Sequence, residues 1–273
     1  MGLGCSCERP WSEAFATSPC LGNWGLLVLR VVLALSYLAH AVYDVLRHFD
    51  GGFYYFLITH WSLTLQAIGS VLLVPATLVS IKHLEEEPAC RVGEKAMAMP
   101  FICRLALVMF SLELPLSLMV VIMYWTLDNP IWTLPPGYTT DYDNLYVHGI
   151  QWMGMLITLL IGRLPYRLAN SGWLIAVGLL YVAWTYLHFL LRIGTGSPCS
   201  GYDDRRDCPI YTVFDWHIQP KTPILATFLV CVGCPCMILF CRCLCAFRDR
   251  ADTSFQTDFK GELSDSEESD CSS

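Results

Sequence analysis

Residues Phe101–Trp125 read FICRLALVMFSLELPLSLMVVIMYW. Only Arg104 and Glu113 are charged in this stretch, and Arg104 lies near one end. Crossing the hydrocarbon layer takes ~20 residues of helix, so the stretch predicts a membrane span. Five further stretches have the same character: Trp24–Leu46, Phe53–Ile81, Leu145–Gly162, Gly172–Leu191 and Thr222–Phe247. Pro75, Pro115 and Pro235 fall inside spans. In water they would argue against helices, but neighbouring helices in a bundle satisfy the freed carbonyls, so they read as kinks. The first span starts too late and runs too long for a signal peptide, and no small-residue cleavage site follows it. The predicted class is an all-α, polytopic membrane bundle of about six transmembrane helices.

The rest of the composition agrees. Of 273 residues, 55% are hydrophobic and 15% charged, and the mean hydropathy is +0.47. A soluble globular chain carries roughly 25% charged residues. That deficit excludes a water-soluble enzyme, a disordered chain and a nucleic-acid binder. The net charge of −7 is concentrated in residues 249–273, which hold eight acidic and two basic side chains. Three parts follow: a cytosolic segment 1–23, a six-helix domain 24–247, and an acidic tail 248–273 expected to be disordered. Within the tail, Ser264 precedes Glu267 by three residues and is a phosphorylation candidate.

An even number of spans puts both termini on one side. That side carries ten Lys or Arg and the other five, so the termini are expected to be cytosolic. Arg30 and Arg104 are expected to snorkel from helix ends to the interface. Cys199 and Cys208 bracket a short segment of an outer loop, where a disulfide is expected. Cys5-x-Cys7 and Cys241-x-Cys243-x-Cys245 lack the spacing and the interleaved His of a zinc site, so neither a metal nor a cofactor is expected. Cys241, Cys243 and Cys245 crowd the cytosolic mouth of the sixth span, either as palmitoylation sites or simply as small apolar side chains. The opening Met1-Gly2-Leu3-Gly4-Cys5-Ser6-Cys7 fits an N-myristoylation pattern at Gly2 with acylatable thiols at Cys5 and Cys7. Two lipid signals would favour the plasma membrane.

Ionisable residues inside spans are expensive and mark candidate chemistry. Glu113 lies mid-span. It is either a neutral carboxyl hydrogen-bonded to a neighbouring helix or a proton- or ion-coupled site, and the first is preferred because no second acidic residue shares its depth. A denser cluster occupies the outer leaflet. Thr59 and His148 enter their spans from that side and lie within about 10 Å of the boundary at 1.5 Å per residue. His40, Asp44, His60, His188 and Asp215 fall in the same layer. A hydroxyl nucleophile beside a His base is a recognised arrangement for acyl chemistry. Taken singly, a span Thr also back-bonds to its own helix.

Several of these residues sit in motifs that resemble a known family. Phe53-Tyr54-Tyr55-Phe56-Leu57-Ile58-Thr59-His60-Trp61 is similar to the aromatic opening of span two in the rolling stone proteins. Asn144-Leu145-Tyr146-Val147-His148-Gly149, Arg163-Leu164-Pro165-Tyr166-Arg167-Leu168 and Pro209-Ile210-Tyr211-Thr212-Val213-Phe214-Asp215-Trp216 continue the resemblance in the right order, over roughly residues 24–230. His60 and Gln151 stand where the family pattern has Asn. The resemblance implies a multi-pass protein of cell-surface contact, fusion or differentiation, in the manner of a founding member implicated in muscle-precursor fusion. A more distant similarity reaches the androgen-induced and androgen-dependent TFPI-regulating membrane proteins, which hydrolyse fatty acid esters of hydroxy fatty acids with an intramembrane Thr and His. By position these would be Thr59 as nucleophile and His148 as base, with His188, Asp215 or His60 assisting. The implied partners are membrane lipids and, in the second case, a lipid-ester substrate. The protein partner is not legible.

Overall fold

A computed structural model describes residues 10–48, 53–86, 98–128, 140–195, 199 and 201–270, the side chains of Phe53 and of residues 253–270 excepted. Gly2, Cys5 and Cys7 lie outside the described residues. The chain is an all-α bundle with six helices long and apolar enough to span a membrane. A short α1 (Trp11–Ala16) precedes α2 (Asn23–His48), α3 (Ile58–Glu86), α4 (Phe101–Leu127), α5 (Tyr142–Ile161) and α6 (Gly172–Leu190). The last span, α7, covers Lys221–Asp252.

α4 is the axle of the bundle. Of its most apolar window 67% is buried, against 22% for the span that contains α6. It packs chiefly on α3, which packs in turn on α2 and α1. The outward faces carry Trp24, Val28, Leu35, Leu179, Leu180 and Ile224 exposed, as lipid-facing surfaces of a bundle require. Pro75 and Pro115 sit inside unbroken helices. Around them Thr77 donates to the Leu73 carbonyl, Ser80 to Ala76, Ser111 to Leu107 and Ser117 to Glu113. These back-bonds satisfy the hydroxyls within their own helices; none of the four reaches the Val71 or Ser111 carbonyl that Pro75 or Pro115 frees.

The two described ends meet on one face. Arg163, just past α5, donates to Thr17 Oγ1 at 3.3 Å and pairs with Asp252 at 2.8 Å. Arg248 reaches from one nitrogen to the carbonyls of Leu159 and Gly162, which the end of the helix leaves orphaned, and of Leu164 just beyond it.

Three expectations are corrected. Phe53–Phe56 form a separate turn and α3 begins at Ile58. Thr59 is therefore in the first turn of its helix, because residues 53–56 turn separately and do not continue the span. α5 begins earlier than expected, at Tyr142, where the Asp141 side chain accepts the Asn144 amide at 2.9 Å as an N-cap. Arg30 does not snorkel: it is buried and donates to the Phe15 carbonyl and the Thr77 hydroxyl, tying α1 to α2 and α3. Arg104 does stay exposed, on the Met99 carbonyl at 2.9 Å. The last helix is drawn over Cys234–Asp270 and so includes most of the acidic segment. From Met237 onward the chain has no proline and a single glycine before Asp270, Gly261, so nothing breaks a helix that Arg248 and Asp252 already anchor. Ser264 lies on this helix, its side chain outside the described residues.

Candidate active site

The cluster is built on two helix starts. At the head of α3, Thr59 and His60 are consecutive, so their side chains diverge by about 100° around the axis. In α5, residues Tyr146–Ile150 form a stretch of wider, π-type turns, and His148 leaves helical geometry with φ −108° and ψ 18°. Such bulges are rare and occur frequently at functional sites. The His148 ring is stacked on Tyr124 of α4, with centroids 3.5 Å apart and planes 1° from parallel. Its backbone carbonyl accepts the Trp125 indole N–H at 2.7 Å. His148 Nδ1 is buried and has no hydrogen-bond partner among the described residues. Stacking, not an acid, therefore orients the ring.

Thr59 and His148 both line two adjoining spaces. One is a mixed cavity of about 420 Å³, whose walls include Asp44, His48, His60 and Asp143 together with Phe56, Leu57, Val147 and Ile210. The other is a narrow apolar crevice of about 30 Å³ between Ile58, Met123, Leu127 and Val213. The pair thus stands where a space with charged walls meets an apolar one. No hydrogen bond joins the two residues among the described ones, so the shared wall is the extent of their pairing.

The polar side is held by a chain of contacts. His60 donates from Nδ1 to the Tyr54 carbonyl, stacks on the Tyr54 ring at 3.8 Å, and brings Nε2 within 3.5 Å of Asp44. Tyr54 donates its hydroxyl to Asp44 Oδ2. Burial, then the Asp44 carboxylate, push the Tyr54 phenol up from its ordinary range, which keeps it a donor. His48 lies 3.8 Å from both Asp44 and Asp143, and Arg47 pairs with Asp143. Among the described residues no group of His, Cys, Asp and Glu is arranged to hold a metal ion.

Below the pair, two turns along α3 and one along α5, the helices are bolted together. Gln66 Nε2 and the Tyr37 hydroxyl both donate to the Gln151 carbonyl, at 2.8 and 3.0 Å. Gly154 makes room for Tyr37, because a Cβ there would come within 1.9 Å of its hydroxyl. Glu113 is buried deeper in the bundle with one oxygen 3.4 Å from the Ser62 hydroxyl. It lines neither space.

His188 and Asp215 do not join Thr59 and His148. His188 donates from Nε2 to the Gly194 carbonyl at 2.7 Å. Asp215 accepts from Tyr202, from the His217 amide at 3.0 Å and from its ring at 3.1 Å, while its carbonyl accepts Thr222. Both line a separate small cavity under the outer loop. Burial, then Asp215, push Tyr202 up to about 12. These residues hold the loop that the Cys199–Cys208 disulfide closes. A shared depth in the membrane is one coordinate of three, and their helices place them elsewhere around the bundle. His40 is also diverted, stacked on Tyr146 at 3.6 Å. Sequence reasoning missed Tyr37, Gln66, Tyr124 and Asp143. Asp143 adjoins a motif already in view, whereas Tyr37, Gln66 and Tyr124 read as ordinary span residues.

No protein-family model matches this chain, and no curated protein or solved structure is similar to it at a significant level.

Proposed function

We propose that this chain is an intramembrane hydrolase of amphiphilic esters, with Thr59 as nucleophile and His148 as general base. The observation that carries the reading is their common wall between a cavity with charged and polar walls on one side and an apolar crevice on the other. An ester carbonyl at that junction would have a polar group on one side and an acyl tail on the other. Thr59 Oγ1 attacks the carbonyl carbon and His148 takes its proton. On collapse of the adduct His148 returns the proton to the leaving alkoxide, and water then hydrolyses the acyl-threonine by the same steps in reverse. The π-type bulge that turns His148 out of line supports this role, as does the resemblance to the androgen-induced family.

The test is labelling in native membranes by a fluorophosphonate. Labelling should vanish in Thr59→Ala and persist in Thr64→Ala, a hydroxyl on the lipid-facing groove of the same helix. Wild-type protein that never takes the label overturns the reading.

A second reading follows the rolling stone resemblance: a surface protein of contact, fusion or differentiation. It is favoured by the disulfide-closed outer loop, braced by Arg192 on Asp207 at 2.6 Å and by Arg206 on Asp204 at 2.7 Å. The two readings are compatible. Plasma-membrane residence and acylation belong with them. Of the thiols at the mouth of α7, Cys241 and Cys245 are buried while Cys243 is exposed, so Cys243 is the one placed to accept palmitate. The helix faces explain this, since Cys241 and Cys245 are one turn apart on the core side.

A further inference from the structure

The apolar crevice beside Thr59 and His148 does not stop there. Its inner wall, Ile58 and Met123, is also the outer wall of a second apolar crevice of about 30 Å³. That second space ends at Gly178 on α6 and at Val230 and Cys234 on α7. On α4 the two together run from Leu127 to Leu116, roughly 16 Å at 1.5 Å per residue. Apart from Thr59, His148, the Cys234 thiol and the phenols of Tyr124, Tyr181 and Tyr211, the walls are apolar. Met123 lies at the junction, and an unbranched thioether gives way more readily than a branched side chain.

We propose that this slot holds the acyl tail of the ester, and that Gly178 and Val230 close its inner end and set the longest chain accepted. The proposal rests on reading Thr59 and His148 as the hydrolytic pair, whose position fixes the end from which length is measured. The occupant is a hydrocarbon chain because aliphatic and thioether side chains make up most of the slot's walls, and because it opens at the ester-cleaving pair and lies inside a membrane-spanning bundle. Lipid outside is as apolar as the slot, so hydrophobicity cannot favour one length over another. Selection must come from the closed end. At that end the missing side chain of Gly178 is the space itself: a Cβ there would sit 3.5 Å from Cys234 Sγ and 3.7 Å from a Val230 methyl. Those are ordinary contacts, so alanine fits, and any longer side chain enters the slot.

The experiment compares kcat/KM for palmitate and butyrate esters in reconstituted full-length protein. Gly178→Leu should lower the palmitate-to-butyrate ratio by about ten-fold or more, in the range a few methylenes give in an apolar pocket. Val230→Ala, which lengthens the slot, should raise it. In parallel, a diazirine-bearing palmitic acid is photo-crosslinked and the modified residues are mapped. Crosslinks on α6 or α7 near Gly178 that Gly178→Leu abolishes support the slot, even in a protein without turnover. That combination would sink the hydrolase reading and leave the acyl site standing. Thr59-dependent turnover with both variants leaving the ratio unmoved overturns the slot and spares the hydrolase. Absence of both turnover and crosslinks overturns both.

Discussion

Tyr37 and Gly154 interlock: the phenol of α2 crosses to the Gln151 carbonyl on α5 at 3.0 Å, over the one position of that turn with no side chain. The contact fixes how closely α2 approaches α5, one turn below His148. Gly154→Ala puts a methyl 1.9 Å from the Tyr37 oxygen. Alanine is intrinsically the better helix former by about 1 kcal/mol, so propensity alone predicts a gain. The clash predicts a loss of about 2 kcal/mol, with the Tyr37 bond gone. Thermal unfolding in detergent reads the sign. In Tyr37→Phe the added penalty of Gly154→Ala should shrink, because the colliding oxygen has been removed, and equal penalties in the two backgrounds would refute the interlock.

On the opposite face, Arg248 is the hinge pin of the last helix. Its guanidinium reaches three carbonyls at the end of α5, and Arg163 bridges Thr17 and Asp252 nearby. Arg248→Met keeps the bulk and removes the donors, leaving buried acceptors unmet at about 2–3 kcal/mol. Arg248→Lys should recover little, since an ammonium cannot reproduce the planar fork. The expected result is earlier proteolysis within residues 249–270 for both variants. Unchanged proteolysis would mean that the helix beyond the span is held by something other than this contact.

What was legible in the sequence follows from which interactions are local. Spans are visible because hydropathy is additive along the chain, and Phe101–Trp125 or Trp24–Leu46 needs no partner to be recognised. The Cys199–Cys208 bridge is visible because its two ends are close in sequence. Arg30 shows the opposite case. A rule that treats it singly sends it to the interface, whereas its partners, Phe15 and Thr77, come from other helices and make burial tolerable. For the site, membrane depth assembled Thr59, His60, His148, His188 and Asp215 into one layer, and azimuth then divided them into two cavities. Azimuth depends on helix packing and on the bulge at Tyr146–Ile150, and neither leaves a periodic mark in the sequence.

Gln66 tests whether that packing matters for chemistry. Its amide donates to the Gln151 carbonyl and so ties the helix of Thr59 to the helix of His148. Gln66→Leu keeps the volume and removes the tie. A shift of about 1 Å between reacting groups costs up to roughly 100-fold in rate, so fluorophosphonate labelling should slow by ten-fold or more. The pH midpoint of labelling should stay in place, because Gln66 does not titrate. A changed midpoint with an unchanged plateau rate would show that Gln66 acts on the base and not on its position.

The outer loop supplies a pH prediction with a definite sign. The Arg206 guanidinium, hydrogen-bonded to Asp204, pulls that carboxyl down from 3.8 to about 2, and Arg192 lowers Asp207 in the same direction. A carboxylate whose folded value is depressed stabilises the fold above its unfolded value, and that contribution is lost as pH falls through the folded value. For Asp204 the window runs from 3.8 down to about 2. Both acids lie in a solvent-exposed loop, so water and salt screen the pairs and their worth to global stability is small. Between pH 5 and pH 8 the Arg192–Asp207 and Arg206–Asp204 pairs should therefore keep their charge, and any pH response of the outer face in that range must come from histidine. Carboxyl carbon NMR of Asp-labelled protein in nanodiscs should show Asp204 titrating near 2, and moving up toward the ordinary carboxylate value in Arg206→Ala. An Asp204 that titrates at its ordinary value in the unmutated protein would mean that the loop is not braced by this pair.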